Sequence, residues 1–427
     1  MILPPHFAYR DGALYIEDVP ADDIAGRFGT PTYVYSKAAL LDAYAAYADA
    51  ARDGTTICYA VKANSNLAVL ALFARAGAGF DIVSGGELER VLAVGATPAK
   101  IVFSGVGKTR DELARALQVG IGCFNLESVS EAHQLSAVAS RLGLVARVSL
   151  RVNPDVDAKT HPYIATGLKE SKFGIAYADA VAAYATVAKL PGLAVVGVDC
   201  HIGSQLLDEA PLLASLEKLL DLVDALASTG IDLAHLDLGG GVGIRYGDEP
   251  DRGIDIAGYL ARVHARIDRW RDVRHGGRPI ALLFEPGRSL VGNAGALLTR
   301  TLVLKPGAAK NFAVVDAAMN DLLRPALYDA WHGVVPAREV EAVAPKVWDV
   351  VGPVCESGDW LAHDRTLALS EDDLLVFLSA GAYGMTMASN YNTRPRAAEV
   401  IVDGATMHLV RDREDVRALF AGERPLP

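Results

Sequence analysis

Between residue 55 and about residue 290, short apolar, β-branched runs alternate with longer segments of helical periodicity. No other feature constrains the fold as much. The runs are TICYAV (56–61), FDIVS (80–84), IVFSG (101–105), CFNLE (123–127), RVSLRV (147–152), VVGVDCH (195–201), HLDLG (235–239) and ALLFE (281–285). The segments between them carry apolar residues at i, i+3 and i+4, most clearly Asp111 to Val119 and Pro211 to Ala227. Strands joined by helical crossovers are parallel and covered by helices. Eight units in this length match a (β/α)8 barrel. A doubly wound open sheet is the alternative, and the eightfold count favours the barrel.

After residue 290 the long helical patterns stop. GALLTRTLVLK, KNFAVVDAAMN, KVWDVVGPV, LLVFLSAGAYG and AAEVIVDGATMHLV read as short strands punctuated by Gly, Pro and Asp. The expected partner of the barrel is therefore a mostly antiparallel β domain. ALYIEDV and TYVYS, near the N-terminus, are strand-like and can join it. The expected division is a barrel over 36–285 and a β domain built from both chain ends, 1–35 and 286–427.

Composition removes several function classes. With 41 basic and 52 acidic residues the net charge is −11, which argues against general nucleic-acid binding. The hydrophobic fraction of 51% excludes a mainly disordered chain. No apolar run approaches the ~20 residues of a membrane span, and no signal peptide is expected. The four cysteines, at 58, 123, 200 and 355, form no C-x-x-C pair. A cytoplasmic protein without a zinc ribbon or a disulfide framework is expected.

Several strand ends carry chemistry. Lys62, in YAVKAN, closes the first run. A desolvated lysine at a barrel mouth can form a Schiff base with a carbonyl, whereas a solvated one merely caps the strand. Gly239-Gly240-Gly241-Val242-Gly243 follows the seventh run, where a phosphate can approach the backbone. It lacks the G-x-G-x-x-G spacing of a dinucleotide site. Ser104 to Thr109 resembles the end of a Walker A loop, but Val102 stands where the first glycine is required, so that reading is discarded. Glu285-Pro286-Gly287-Arg288 pairs a carboxylate with an anion-binding guanidinium. His201, in HIGSQ, can stack on a flat ring or act as an acid or base, and no second ligand stands at metal spacing. Cys355-Glu356 sets a thiol beside a carboxylate, which disfavours a thiolate nucleophile and leaves a proton donor or a structural cysteine.

Taken together, YAVKAN, ESKFGI, HIGSQ, LDLGGGVG, EPGR, MNDLLRPALY, GPVCESGD, SAGAYG and YNTRPRAAEV, in that order, make the chain resemble the fold-type III pyridoxal-phosphate decarboxylases. The likeness runs from about Thr30 to Val400. It implies an alanine-racemase-like (β/α)8 barrel with a β domain, and pyridoxal 5'-phosphate held by Lys62. It also implies that His201, Ser204, Gly241, Glu285, Pro286, Gly287, Arg288 and Tyr383 surround the cofactor, with Glu285 at the pyridine nitrogen. Arg288, Arg324, Tyr328, Glu356 and Tyr383 would bind substrate, and Cys355 would be the proton donor. The implied reaction removes the carboxylate at the D-centre of meso-diaminopimelate to give L-lysine. It would take place in a homodimer with active sites at the interface, and no metal is implied. Relatives acting on ornithine, arginine or carboxynorspermidine typically carry Asp-Gly where this chain has Glu356-Ser357. A racemase would carry arginine in place of Glu285. A carrier-bound substrate and a non-catalytic cofactor-binding protein are the remaining alternatives. The segment Asn153 to Phe173, with Lys159, His161 and Lys172, is expected to close over the barrel mouth.

Overall fold

All eight runs are strands, and they close on themselves. We name them β1 (Thr55–Ala60), β2 (Gly79–Ile82), β3 (Ile101–Phe103), β4 (Cys123–Leu126), β5 (Ala146–Asn153), β6 (Leu193–Asp199), β7 (His235–Asp237) and β8 (Ala281–Phe284). Each pairs in parallel with the next, β8 pairs with β1, and the sheet is a closed eight-stranded barrel rather than an open one. The computed structural model describes residues 2–156, 172–247, 253–274, 276–339 and 343–427. Lys159, His161 and most of the expected lid segment therefore lie outside the described residues.

The chain divides into two compact units, Tyr44–Ile244 with Asp251–Ser289, and Met1–Ala43 with Arg245–Pro250 and Leu290–Pro427. In the barrel unit, the strands alternate residues facing the interior with residues facing the helices. At the N-terminal end of the barrel the interior is apolar: Cys58, Val102 and Cys123 cluster with Val196 and Leu283. Two residues further along their strands, Cys123 gives way to Asn125 and Leu283 to Glu285. This period of two places a polar layer above the apolar one, at the end of the barrel where loops can use it.

Helix boundaries follow their caps. Helix Arg110–Val119 starts at a reciprocal capping box between Thr109 and Glu112 and stops at Gly120, which has φ 74°. Lys108, the lysine of the discarded Walker-like segment, is buried. It donates to the carbonyls of Gly105 and Asn125 and to Glu131, at 2.7, 2.8 and 2.8 Å. It is a structural cation.

Among the described residues the second unit holds a nine-stranded sheet. Most pairings are antiparallel, as expected; two are parallel, Phe312–Val315 with Lys346–Val351 and Thr32–Ser36 with Ala398–Asp403. TYVYS is the fully buried strand Thr32–Ser36, joining Gly295–Lys305 on one side and Ala398–Asp403 on the other. Its buried tyrosine hydroxyls are satisfied: Tyr33 donates to Asp321 O and Tyr35 to Glu399, each at 2.7 Å. ALYI belongs to a separate three-stranded antiparallel sheet (Phe7–Arg10, Ala13–Ile16, Val19–Pro20). Among the described residues no helix is long and apolar enough to cross a membrane.

Candidate active site

At the C-terminal rim of the barrel, Lys62 sits in the 3-10 turn Val61–Ala63 that ends β1. Its Nζ lies 2.6 Å from Oδ2 of Asp81, a fully buried carboxylate on β2. This contact fixes the position of the amine at the rim. Asp81 is one of a ring of acids. Asp199 and Asp237 end β6 and β7 and Glu285 directly follows β8, all buried, with a carboxylate oxygen of each within 4.8 Å of the others. Asn125 bridges the pair below, donating to Asp237 at 3.2 Å and to Glu285 at 3.4 Å. Gly239 N donates to Asp237 at 3.0 Å.

Such crowding is costly. Burial, then the neighbouring Asp237, Asp81 and Asp199, push the Glu285 carboxyl well above the usual range, while Lys62 pulls it down. Burial likewise raises Asp237 and Asp199. Among the described residues the Oδ1 atoms of Asp81 and Asp199 are buried without a hydrogen-bond partner. A cationic group at this rim would relieve the crowding, and a protonated heterocycle is such a group.

His201 follows β6. Its Nδ1 accepts from Gly240 N at 3.1 Å, so that nitrogen is bare. Burial, Arg151 and Lys62 all hold its pKa well below the ordinary value. The ring is therefore neutral, an apolar face suited to stacking. The glycine run is required by close packing. A Cβ on Gly240 would meet Glu285 O at 2.2 Å, and one on Gly241, φ 105°, would meet Gly203 O at 2.7 Å. Arg288 Nη2 donates to Ser204 Oγ at 3.0 Å, joining the turns after β8 and β6. Pro286 O accepts from Ala60 N at 3.0 Å, and Gly287 fits against Ala60 and Ala63, so the Glu285–Arg288 turn is seated on β1. Lys62, His201, Ser204, Gly241 and Glu285 to Arg288 thus share one rim. An amine, a neutral imidazole, a buried carboxyl, and a glycine turn beside a serine–arginine pair match an aldehyde, a flat ring, its nitrogen and a phosphate.

Sequence reasoning missed Asp81, Asn125, Glu127, Arg151, Asp199 and Asp237. Arg151 is buried against Glu127 at 3.2 Å, and its guanidinium lies 4.8 Å from the Phe173 ring. A signal was present, since FDIVS, VVGVDCH and HLDLG each set an acid inside an apolar run, where one is expensive without a task.

The remaining expected residues lie in the β unit. Arg324 and Tyr328 bound the short helix Arg324–Tyr328, with Arg324 buried and Tyr328 half-buried. Cys355 and Glu356 are exposed on a loop shaped by the buried Asp359, which accepts from Met319 N at 2.6 Å and Val354 N at 2.8 Å. The Cys355 backbone N–H donates to Asn392 Oδ1 at 3.0 Å. Tyr383 has φ 55°, a strained conformation for a tyrosine, in a turn where a Cβ on Gly381 would meet Val291 O at 1.9 Å.

The barrel with its lysine, acid ring and phosphate-type turn defines a pyridoxal-phosphate enzyme. The family model for the pyridoxal-dependent decarboxylase, pyridoxal binding domain, matches residues 38–292. The chain is 60% identical over 423 residues to a diaminopimelate decarboxylase from Pseudomonas aeruginosa, covering 99% of each. Among solved structures, diaminopimelate decarboxylase from M. jannaschii, in complex with L-lysine, is similar with a TM-score of 0.92. That match has 35% identity and covers 100% of this chain and 99% of the other. The enzyme of that name from Helicobacter pylori, complexed with L-lysine, gives 0.87 at 39% identity, covering 93% and 98%. The chain belongs to the diaminopimelate decarboxylases of the pyridoxal-dependent decarboxylase family.

Proposed function

We propose that this chain removes CO2 from the D-centre of meso-diaminopimelate, releasing L-lysine, the last step of lysine biosynthesis, with pyridoxal 5'-phosphate as cofactor. The observation that carries it is Lys62, held 2.6 Å from Asp81 on the rim shared with Glu285, in a chain similar end to end to decarboxylases of that name. When bound, pyridoxal phosphate supplies the electron sink for the pair left by the departing carboxylate.

The chain's own residues do the rest. Lys62 would hold the cofactor through its side-chain amine, and Asp81, 2.6 Å away, would keep that amine in position at the rim. Glu285 takes the ring nitrogen and keeps its proton. The neutral His201 ring offers a stacking face without a competing charge. Ser204, Gly241, Pro286, Gly287 and Arg288 hold the phosphate. Arg324 and Tyr328, with Arg288, grip the carboxylate at the distal end, and Glu356 takes the distal ammonium. Fixed charges of both signs separate the two ends of the substrate, because the wrong end leaves them unpaired. Cys355 gives its thiol proton to the carbon that has lost CO2, and Tyr383 borders cofactor and substrate.

The barrel unit is the cofactor unit in this scheme, and the β unit brings substrate and dimer contacts. Cys355 and Glu356 are exposed on the single chain, which supports their working in the barrel of a partner subunit. All four cysteines are free thiols, which supports a reducing cytoplasmic setting. The test is lysine and CO2 release from meso-diaminopimelate with added pyridoxal phosphate, beside L-ornithine and L-arginine. Release from meso-diaminopimelate alone is expected. Equal turnover of ornithine would overturn the substrate assignment.

A further inference from the structure

His332 is fully buried, and both its ring nitrogens have partners whose chemistry leaves no choice. Nδ1 lies 2.9 Å from Leu378 O, which can only accept, so Nδ1 carries the proton. Nε2 lies 2.8 Å from Arg324 Nη1, which can only donate, so Nε2 is bare. The imidazole is one neutral tautomer. A second proton would set N–H against N–H.

The surroundings make this ring rigid. Leu378 N donates to Gly333 O at 2.8 Å, and Arg365 Nη2 donates to His332 O at 3.3 Å. Arg324 Cζ lies over the Tyr246 ring, 4.6 Å from its centroid. Tyr246 also meets His332 edge-on, with centroids 5.1 Å apart. The backbone carrying Tyr246 is pressed close, since a Cβ on Gly247 would meet the Trp331 ring at 2.6 Å. Arg324 is thus held by two neighbours, His332 through a hydrogen bond and Tyr246 through its ring.

We propose that His332 is a positioning residue for substrate recognition: as a neutral acceptor backed by Tyr246, it orients the Arg324 guanidinium toward the distal carboxylate of the substrate. This rests on the substrate-binding role given to Arg324 above. Neutrality is the essential property. A carboxylate in the place of His332 would accept the same hydrogen bond but cancel the charge that Arg324 offers to an incoming carboxylate. An imidazole orients the fork and leaves its charge intact.

The test uses the holoenzyme with meso-diaminopimelate and three variants. His332→Ala is expected to raise KM on the order of tenfold with a smaller change in kcat, the size of a lost hydrogen bond to a charged group. His332→Asp keeps an acceptor and is expected to raise KM at least as much. His332→Gln, a neutral acceptor, is expected to restore KM to near the parent value. Crystal structures of the substrate-free variants give a readout independent of turnover, with Arg324 displaced in His332→Ala and in place in His332→Gln. Unchanged KM in both Ala and Asp variants, or an unmoved Arg324 in His332→Ala, overturns the proposal. So does an equal loss of folded protein and of kcat in all three, which marks a structural role. If the parent enzyme releases no lysine while Arg324 still moves as expected, the orienting contact stands and the substrate role of Arg324 falls.

Discussion

Lys62 and Glu87 show how position alone separates two uses of a charged side chain. Lys62 is paired with Asp81 yet a third of its side chain stays accessible, so a carbonyl can reach it. Lys62→Ala is expected to fold, to lose the visible absorbance of bound cofactor, and to lose turnover; retained turnover in a spectrophotometric assay would remove the assignment. Glu87 accepts from Val83 N at 2.7 Å, and burial drives its pKa up from 4.5 to about 7. Below about pH 4.5 the carboxyl is protonated folded or unfolded and contributes nothing to the pH dependence. Between about 4.5 and 7 the unfolded chain releases the proton and the folded one keeps it, so stability falls as pH rises. Above about 7 the full penalty is present, roughly 3 kcal/mol at most. Glu87→Gln, which keeps an acceptor for Val83, should therefore match the parent in denaturant melts at pH 4.5 and exceed it at pH 8.

Elements of the barrel are also held by charges paired with one another and with the backbone. Glu112 caps the helix Arg110–Val119 and also accepts from Gly85 N at 2.6 Å, tying two helix starts together. Thr109→Ala should cost about 1 kcal/mol in denaturant unfolding, with KM unchanged. Lys108 is a stronger case, because Glu131, its partner at 2.8 Å, is itself nearly buried. Lys108→Met should destabilise by about 3 kcal/mol or more, by leaving a buried carboxylate unpaired, and leave kcat of the folded fraction unchanged. A selective loss of cofactor affinity in that variant would revive the phosphate-loop reading of Ser104 to Thr109. Strand and helix positions were readable from period and punctuation, since those signals act within a few residues. The extra parallel pairings in the β sheet were not, because a pairing direction between strands far apart in sequence leaves no local pattern.

For the whole molecule, the consequential expectation is that each active site is built from two chains. If Lys62 and Cys355 of one site come from different protomers, Lys62→Ala and Cys355→Ala proteins mixed in equal amounts should recover turnover. Half of the dimers are then mixed, each with one intact site, so recovery should approach about a quarter of the parent value. No recovery after subunit exchange, verified by mass spectrometry of the mixed dimers, would place both residues in one chain. The sequence by itself determined the eightfold βα alternation, the glycine turns, and the placing of Lys62, His201 and Glu285 at strand ends, because each rests on near-neighbour patterns. Only the tertiary structure decided that Asp81, Asp199, Asp237 and Glu285 form one crowded acid ring. It also decided that Lys108 is structural while Lys62 is exposed to chemistry, and that His332 is held neutral between Arg324 and Leu378. Charge, protonation and hydrogen bonding depend on distance and burial in space, and residues more than a hundred positions apart acquire both only when the chain closes on itself.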